Sequence, residues 1–256
     1  MSITFNGTVH LKCSLTVNSF VLRICDGAKL LLAKTLGKEE KQRTSWKQNP
    51  EAVQRDILRV AVAEFARNGL SGARIDEIAA KTKTSKRMIY YYFGDKETLY
   101  ARALEQAYAK VRAGEDKLDL AGLAPERALA QLVSFTFDHH QRNPAFIRMV
   151  MIENIHHAEF LSRSHAIRGM NAAAIDKLAD IIRRGEAAGT FRPGLDPTEL
   201  HWTISAMSFF NVSNRATFSA LFGKELFARE RQERLRDHVV EMILRFVCNE
   251  NGPAPC

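Results

Sequence analysis

From residue 49 onward, apolar side chains recur with the period of an α-helix. Ile57, Ala61 and Phe65 follow one another at intervals of four residues, which places them on one face of a helix. This helix is expected to begin at Asn49-Pro50, where asparagine can cap and proline suits the first turn, and to stop at Asn68-Gly69. The pattern predicts a first helix of about five turns.

Three further Xaa-Pro pairs have the same form and predict three more helix starts. They are Ala124-Pro125, Asn143-Pro144 and Asp196-Pro197, and the last has Glu199 three residues after the cap, as in a reciprocal capping pair. The predicted helices after the first span 75–81, 85–92, 95–112, 125–141, 144–155, 161–188, 197–222 and 227–248. Alternating β-branched runs of strand length are absent after residue 49, so the predicted fold class is all-α.

Residues 75–97 predict two short amphipathic helices joined by a tight link. Inward positions are expected to be Ile75, Ile78 and Ala79 on the first helix and Met88, Ile89 and Phe93 on the second. The polar residues then lie at the start and on the outer face of the second helix. This is the layout of a helix-turn-helix, in which the second helix enters the major groove of DNA.

The residue types on that second helix suit contact with DNA. Ser85 can cap the helix and, with the N-terminal N–H groups, meet a phosphate. Lys86 and Arg87 lie in the first turn, and arginine makes bidentate contacts with guanine. The hydroxyls of residues 90–92 can donate to phosphates, and Lys96 follows one turn later.

The charge distribution agrees with contact to a polyanion. The chain has a formal net charge of +8. Residues 38–112 contain 16 Lys and Arg against 10 Asp and Glu, whereas residues 113–256 contain 17 against 18. The excess positive charge therefore lies in the first half of the chain, where phosphates would be met.

Residues 1–48 show no domain pattern. Apolar clusters alternate with Arg23, Lys29 and Lys34 before a charged run, and Arg23 and Asp26 interrupt any signal-peptide core. The segment is interpreted either as a flexible basic arm or as upstream sequence from a misplaced translation start. We favour the second interpretation because DNA-binding arms are usually poorer in apolar residues.

The composition also predicts where the protein resides. No stretch approaches the roughly 18 to 20 apolar residues of a membrane-spanning helix. The four cysteines lie near the two ends without a metal-ligand or disulfide pattern. A protein of the reducing cytoplasm, with no membrane partner and no cofactor, is expected.

Residues 50–97 resemble the DNA-binding domain of the TetR family of transcriptional regulators. The resemblance rests on the order Thr84-Ser85-Lys86, then Tyr90-Tyr91-Tyr92-Phe93, then Lys96-Glu97. It implies a three-helix helix-turn-helix domain over 49–97, with a helix to residue 112 connecting it to an effector-binding and dimerisation domain over 113–256. The residues implied in DNA contact are Arg74, Thr84, Ser85, Lys86, Arg87, Tyr90, Tyr91, Tyr92 and Lys96.

Two positions depart from the family pattern. Lys83 occupies a turn position where the family commonly has glycine, so either its φ is strained or the turn differs. Arg74 stands where a threonine commonly begins the second helix, and it cannot cap in the same way. Arg74 is expected to reach a phosphate instead.

In the second half, the resemblance implies a ligand cavity and a homodimer. A small-molecule effector is expected between the helices of residues 100–188. The candidate lining residues are Phe135, His140, Met149, Glu153, His157, Trp202, Phe209 and Asn211, with core packing as the alternative for each. The helices near 197–222 and 227–248 are expected to pair with those of a second copy on a pseudo-palindromic operator, although their apolar residues also suit the core of one subunit.

Other chemistry finds little support in the sequence. Glu153 and His157 share a helical face, but no cysteine or further acidic partner stands at metal-ligand spacing, so no metal is expected. Phosphate-binding and hydrolase motifs are absent, so we expect no catalysis. The favoured interpretation is a ligand-responsive repressor, and the alternatives are a DNA-binding protein without a ligand and a helical enzyme or scaffold.

Overall fold

The computed structural model describes residues 49–249, and these residues form α-helices joined by turns and two short 3-10 helices. The predicted segment 1–48 and the last seven residues lie outside the described part. The first four helices are α1 (Pro50–Gly72), α2 (Ile75–Lys81), α3 (Lys86–Phe93) and α4 (Lys96–Glu115). The others are α5 (Pro125–Arg142), α6 (Pro144–Ile155), α7 (His165–Ala187), α8 (Pro197–Ser213), α9 (Arg215–Phe222) and α10 (Arg229–Val247).

Side-chain caps fix several of these helix starts. Ser85, Asp95 and Ser164 each accept a hydrogen bond from the backbone N–H three residues ahead, at the starts of α3, α4 and α7. Asp196 accepts from the N–H groups of Thr198 and Glu199 at 2.8 Å and begins α8. The three helices predicted to start at Xaa-Pro pairs after residue 120 begin at those prolines.

Two long predicted helices are broken in the structure, and a third begins later than predicted. The prediction for 161–188 missed the cap at Ser164, which separates a 3-10 turn, Leu161–Arg163, from α7. The prediction for 197–222 missed a break at Asn214, whose side chain donates to Ser213 Oγ at 2.9 Å. The helix predicted from 227 begins at Arg229, because extended Ala228 separates it from a 3-10 helix, Lys224–Phe227.

The first helix also ends differently from the prediction. Gly69 has φ 67° and ψ −180°, a conformation that favours glycine, but the chain resumes its helical course as far as Gly72. The glycine therefore kinks α1 rather than ending it.

The first hydrophobic core joins the N-terminal helices to the middle of the chain. It contains residues from each of α1 to α4, together with Met149 of α6 and Ile167 of α7. Phe65 and Tyr100 are fully buried there, and their rings meet edge to face with centroids 5.1 Å apart. Helices α1 and α4 thus pack directly against the C-terminal helices α6 and α7.

The second hydrophobic core lies among the C-terminal helices. Its buried residues come from α5, α7, α8 and α10, including Leu129, Leu178 and Ile204, and from two positions between helices, Leu120 and Phe191. Phe191 fills this core so closely that a Cβ on Gly185 would lie 2.2 Å from its ring. Because α4 and α7 pack together and α7 also joins α5, the two cores are connected through long helices.

Candidate DNA-binding surface and ligand cavity

Burial of two apolar side chains fixes the orientation of α3. Ile89 and Phe93 are buried in the first core, and Ile75 and Ile78 of α2 are buried beside them. These are positions that the sequence pattern assigned to the inward faces. The opposite side of α3 is therefore directed away from the core.

The link between α2 and α3 forms without a strained residue. Among residues 49–249, the only non-glycine residues with positive φ are His157 and Ala158, so Lys83 makes the turn without a left-handed conformation. This decides the alternative left by the sequence: the turn differs from one that needs glycine. At the other end of α3, Gly94 has φ 76°, and its N–H donates to the carbonyl of Tyr90 at 2.8 Å.

The outer face of α3 exposes a cation and two phenols. Arg87 is exposed and makes no ion pair or side-chain hydrogen bond within the described part of the chain. Tyr91 is 76% exposed and Tyr90 is 41% exposed. A free guanidinium beside two exposed phenols has the donors that base edges and phosphates accept.

Three other side chains that are predicted to contact DNA already have contacts within the protein. Lys86 Nζ lies 3.0 Å from a carboxylate oxygen of Asp76, and Lys96 Nζ donates to the carbonyl oxygen of Ser71 at 3.3 Å. Tyr92 is half-buried and packs against the first core. These three side chains need to change partners, or to contact DNA with only part of their surface.

Three predicted contacts lie at helix starts. Ser85 is exposed, and its hydroxyl accepts from the N–H of Met88 at 3.3 Å. Arg74 precedes α2, is exposed and makes no side-chain cap, as expected from the sequence. The hydroxyl oxygen of Thr84 is buried and finds no hydrogen-bond partner among the described residues.

A buried carboxylate ties α1 to α2. Glu64 is 4% exposed and accepts hydrogen bonds from Lys81 Nζ at 2.7 Å and from Asn68 Nδ2 at 2.6 Å. The hydrogen bond from Lys81 lowers the pKa of Glu64 below its usual value, although burial opposes this shift. Sequence reasoning missed this contact because the two residues lie 17 positions apart.

A cavity of about 480 Å³ lies between α4, α5, α6, α7 and α8. Its volume falls in the range of small-molecule sites, roughly 300–1,000 Å³. Aromatic rings line much of it, among them Tyr108, Phe146 and Phe209. Polar side chains that line it include Arg112, Glu115, His139, His140, Asn171 and His201.

Three of the eight predicted ligand residues line this cavity: His140, Trp202 and Phe209. Asn211 lines a neighbouring cavity of about 600 Å³ and donates to Gln232 Oε1 at 2.7 Å. Phe135 instead packs against Gly114, at which a Cβ would lie 2.6 Å from its ring.

The remaining three predicted ligand residues lie elsewhere. Met149 is fully buried in the first core, and His157 is exposed in a turn with φ 55°. Glu153 is 2% exposed and accepts from the Tyr100 hydroxyl at 2.8 Å and from the N–H of Leu161 at 2.9 Å. None of the three lines the cavity. Among the described residues, no group of three potential metal ligands is found, so no third metal ligand lies beside Glu153 and His157.

Sequence reasoning missed Arg112 and His139 as cavity residues. Arg112 donates to a carboxylate oxygen of Glu115 and to Asn171 Oδ1, the latter at 2.8 Å. The spacing of Arg112 and Glu115 on one helix is visible in the sequence, but Asn171 lies 59 positions away. For Arg112, the only signal in the sequence was a cationic residue on the inner face of a predicted helix.

The two adjacent histidines are neutral at pH 7. Burial is the main cause that lowers the pKa of each to about 4. Nearby cations, Lys110 and Arg112 among them, lower the pKa of His139 further. Burial likewise raises the pKa of the Tyr108 phenol to about 12, so it stays protonated.

Two family models match this chain. Residues 57–103 match the model described as bacterial regulatory proteins, tetR family. Residues 125–243 match the tetracyclin repressor-like C-terminal domain. A curated relative, the HTH-type transcriptional repressor NicS of Pseudomonas putida, is 34% identical over 77% of this chain and 93% of its own length.

The chain belongs to the TetR family. Another relative of this TetR protein is the HTH-type transcriptional repressor SCO4008 of Streptomyces coelicolor, which is 31% identical over 64% of this chain and 80% of its own length. A solved tetR-family regulatory protein from Rhodococcus RHA1 shares the fold, with a TM-score of 0.61 and 22% identity over 77% of this chain and 98% of the other.

Family membership confirms the resemblance read from the helix-turn-helix residues, and the all-α fold is also confirmed. This TetR protein is a DNA-binding transcriptional regulator. Within residues 49–249, no helix is both long enough and apolar enough to cross a membrane.

The Glu64 contact predicts how stability depends on pH. Because the folded-state pKa of Glu64 is lowered, the ionised carboxylate stabilises the fold above its usual pKa, and this contribution is lost as the pH falls through the folded pKa. Glu64→Gln should lower the free energy of unfolding by roughly 1–2 kcal/mol at pH 7. Denaturant unfolding at pH 7 and at about pH 3 measures whether the difference from the parent protein shrinks in acid.

The matched control is Glu97→Gln, at an exposed glutamate in the first turn of α4. It should change stability little at either pH. If the Glu64→Gln protein is as stable as the parent at pH 7, the carboxylate does not stabilise the contact between α1 and α2.

Proposed function

We propose that this TetR protein is a ligand-responsive repressor that binds a pseudo-palindromic operator as a homodimer. The observation that carries the proposal is the outer face of α3, where Arg87, Tyr90 and Tyr91 are exposed on a helix anchored by Ile89 and Phe93. In this proposal α3 lies in the major groove. Without ligand the bound protein blocks transcription.

The proposed DNA-contacting set is the one taken from the resemblance. It divides by role: Arg87 reads a base edge, the phenols of Tyr90 and Tyr91 meet phosphates or a thymine methyl, and Ser85 meets a phosphate at the start of α3. Lys86 joins them when it leaves Asp76 for the more highly charged DNA backbone. Arg74, Thr84, Tyr92 and Lys96 contact the flanking backbone.

The ligand response is proposed to pass through α4. Lys96 at its start lies beside α1, whereas Tyr108 and Arg112 near its end line the cavity of about 480 Å³. Between them, the buried Tyr100 hydroxyl donates to Glu153 of α6. A ligand that favours another position of α4 shifts the population away from the DNA-binding form, to the extent that it binds the two forms differently.

The homodimer is proposed to form through α8 and α10, which cover most of the two predicted segments. The apolar residues on these helices divide into two groups: Leu200, Ile204, Val239, Ile243 and Val247 are buried in the second core, whereas Trp202, Phe210, Met242 and Phe246 are 46–73% exposed. An apolar groove of about 540 Å³ passes Phe210 and Met242. Exposed apolar area on two adjacent helices supports a protein partner, and a second copy would pair two recognition helices with DNA sites about 34–36 Å apart.

One prediction of the proposed function concerns base recognition by Arg87. Footprinting of the purified protein on the DNA upstream of its own gene locates an operator for the assay. Arg87→Ala should then weaken operator binding by roughly 1–3 kcal/mol and weaken binding to random DNA much less. Titration of both DNAs at one salt concentration measures the difference.

The control is Arg127→Ala, which removes the same charge from an exposed position on α5. Operator affinity should stay within a factor of about two for this variant. Equal losses on operator and random DNA for Arg87→Ala would refute base reading and leave Arg87 as a phosphate contact.

A second prediction concerns the dimer. Met242 is 46% exposed on α10, so Met242→Arg should leave the subunit folded but place a charge in the proposed interface. Light scattering during size-exclusion chromatography should show the mass of a dimer for the parent protein and a shift toward monomer for the variant.

Ile155→Arg is the matched control, because Ile155 is 70% exposed at the end of α6 and lies outside α8 and α10. It should remain a dimer. A Met242→Arg protein that stays fully dimeric at low concentration would contradict this choice of interface.

A further inference from the structure

Three residues that line the cavity of about 480 Å³ carry buried polar atoms without hydrogen-bond partners among the described residues. Both ring nitrogens of His139, Nδ1 of His140 and Nε of Arg112 find no hydrogen-bond partner among the described residues. His139 is 8% exposed and His140 is 7% exposed. Because more than about nine in ten buried polar atoms in proteins have a partner, these four atoms need a hydrogen-bond partner that the described residues do not supply.

No charged side chain that lines the cavity lacks a counter-charge. Its charged lining residues are Arg112 and Glu115, which form an ion pair with side chains 15% and 7% exposed. His139 and His140 are neutral at pH 7, because burial lowers the pKa of each to about 4. An organic ion in the cavity would therefore be buried without a counter-charge, which costs free energy that a neutral molecule is spared.

The unpartnered atoms include both donors and acceptors. The Nε–H of Arg112 can only donate, whereas the neutral imidazole of His139 has one donor and one acceptor nitrogen. Burial lowers the pKa of His140, and a hydrogen bond to the backbone of Ser208 partly opposes this shift, as expected when the ring donates to the carbonyl there. The remaining nitrogen, Nδ1, is then an acceptor.

The remaining walls suit a flat molecule. Aromatic residues from three helices line the cavity: Tyr108 of α4, Phe146 of α6, and Trp202, Phe209 and Phe210 of α8. Aromatic rings pack favourably against other ring systems at offset or edge-to-face geometry. A planar aromatic ligand would therefore use these walls better than a branched aliphatic one.

We propose that this cavity binds a small, planar, uncharged aromatic molecule that carries both a hydrogen-bond acceptor and a hydrogen-bond donor, of the kind found in a carboxamide or lactam. The acceptor meets Arg112 Nε–H, and the donor meets the acceptor nitrogen of the His139 imidazole. This inference rests on the proposed function, since it names the class of effector for the same protein.

Three probes of one ring size test the charge of the ligand: benzamide, benzoate and benzylammonium. Calorimetry and thermal unfolding of the full-length protein without DNA measure their binding. Benzamide should bind at least about tenfold more tightly than either ion. Equal or tighter binding of benzoate or benzylammonium, or no binding of any of the three at millimolar concentration, would overturn the proposal.

A variant tests the role of the imidazole. His139→Phe keeps a ring of similar size but removes both unpartnered nitrogens, so it should weaken benzamide at least about tenfold while leaving the unfolding temperature unchanged or higher. His156→Phe, at an exposed histidine, is the control and should leave benzamide binding unchanged. If His139→Phe lowers the unfolding temperature and leaves benzamide binding intact, the imidazole is a packing residue and the proposal fails.

Separate DNA titrations distinguish failure of this inference from failure of the proposed function. Benzamide that binds selectively without weakening operator binding would leave the ligand class standing and contradict a ligand-responsive repressor. Release of the operator by benzoate or benzylammonium, and not by benzamide, would overturn the ligand class and leave the repressor standing.

Discussion

The burial of Ile89 and Phe93 in the first core is the interaction on which the DNA-binding surface depends. Helix α3 has eight residues, and a helix this short is not stable alone in water. Its helical conformation therefore depends on packing against α2 and α4, with Ser85 at its start and Gly94 at its end. Since the core fixes which face is inward, it also fixes that Arg87 and Tyr91 face outward.

The same core connects that surface to the rest of the molecule. Tyr100 packs edge to face on Phe65 and Phe160 and donates to the buried Glu153, so α1, α4 and α6 meet at one phenol. Helix α4 then continues to Arg112 in the wall of the cavity. One rigid helix thus touches both places where the proposed function requires binding, which gives the proposed ligand response a physical route.

The sequence predicted local features of this fold well and distant contacts poorly. Periodicity and Xaa-Pro pairs gave the helix-turn-helix and most helix starts, because both depend on residues within one or two turns. The breaks at Ser164 and Asn214 were missed, since each depends on a single side chain within an otherwise continuous helical pattern. For the cavity, aromatic and polar composition selected Trp202 and Phe209 but also selected Met149, which is core. Nothing local shows that Arg112 meets Asn171, because the contact depends on how α4 and α7 pack.

Chemical labelling of tyrosine tests most directly whether the outer face of α3 meets DNA. The exposed phenols of Tyr90 and Tyr91 should be nitrated by tetranitromethane in the free protein, whereas the buried Tyr100 should not. Bound operator DNA should protect Tyr90 and Tyr91, as read by mass spectrometry of the peptide that contains them. Equal nitration of both residues with and without saturating operator would contradict the account.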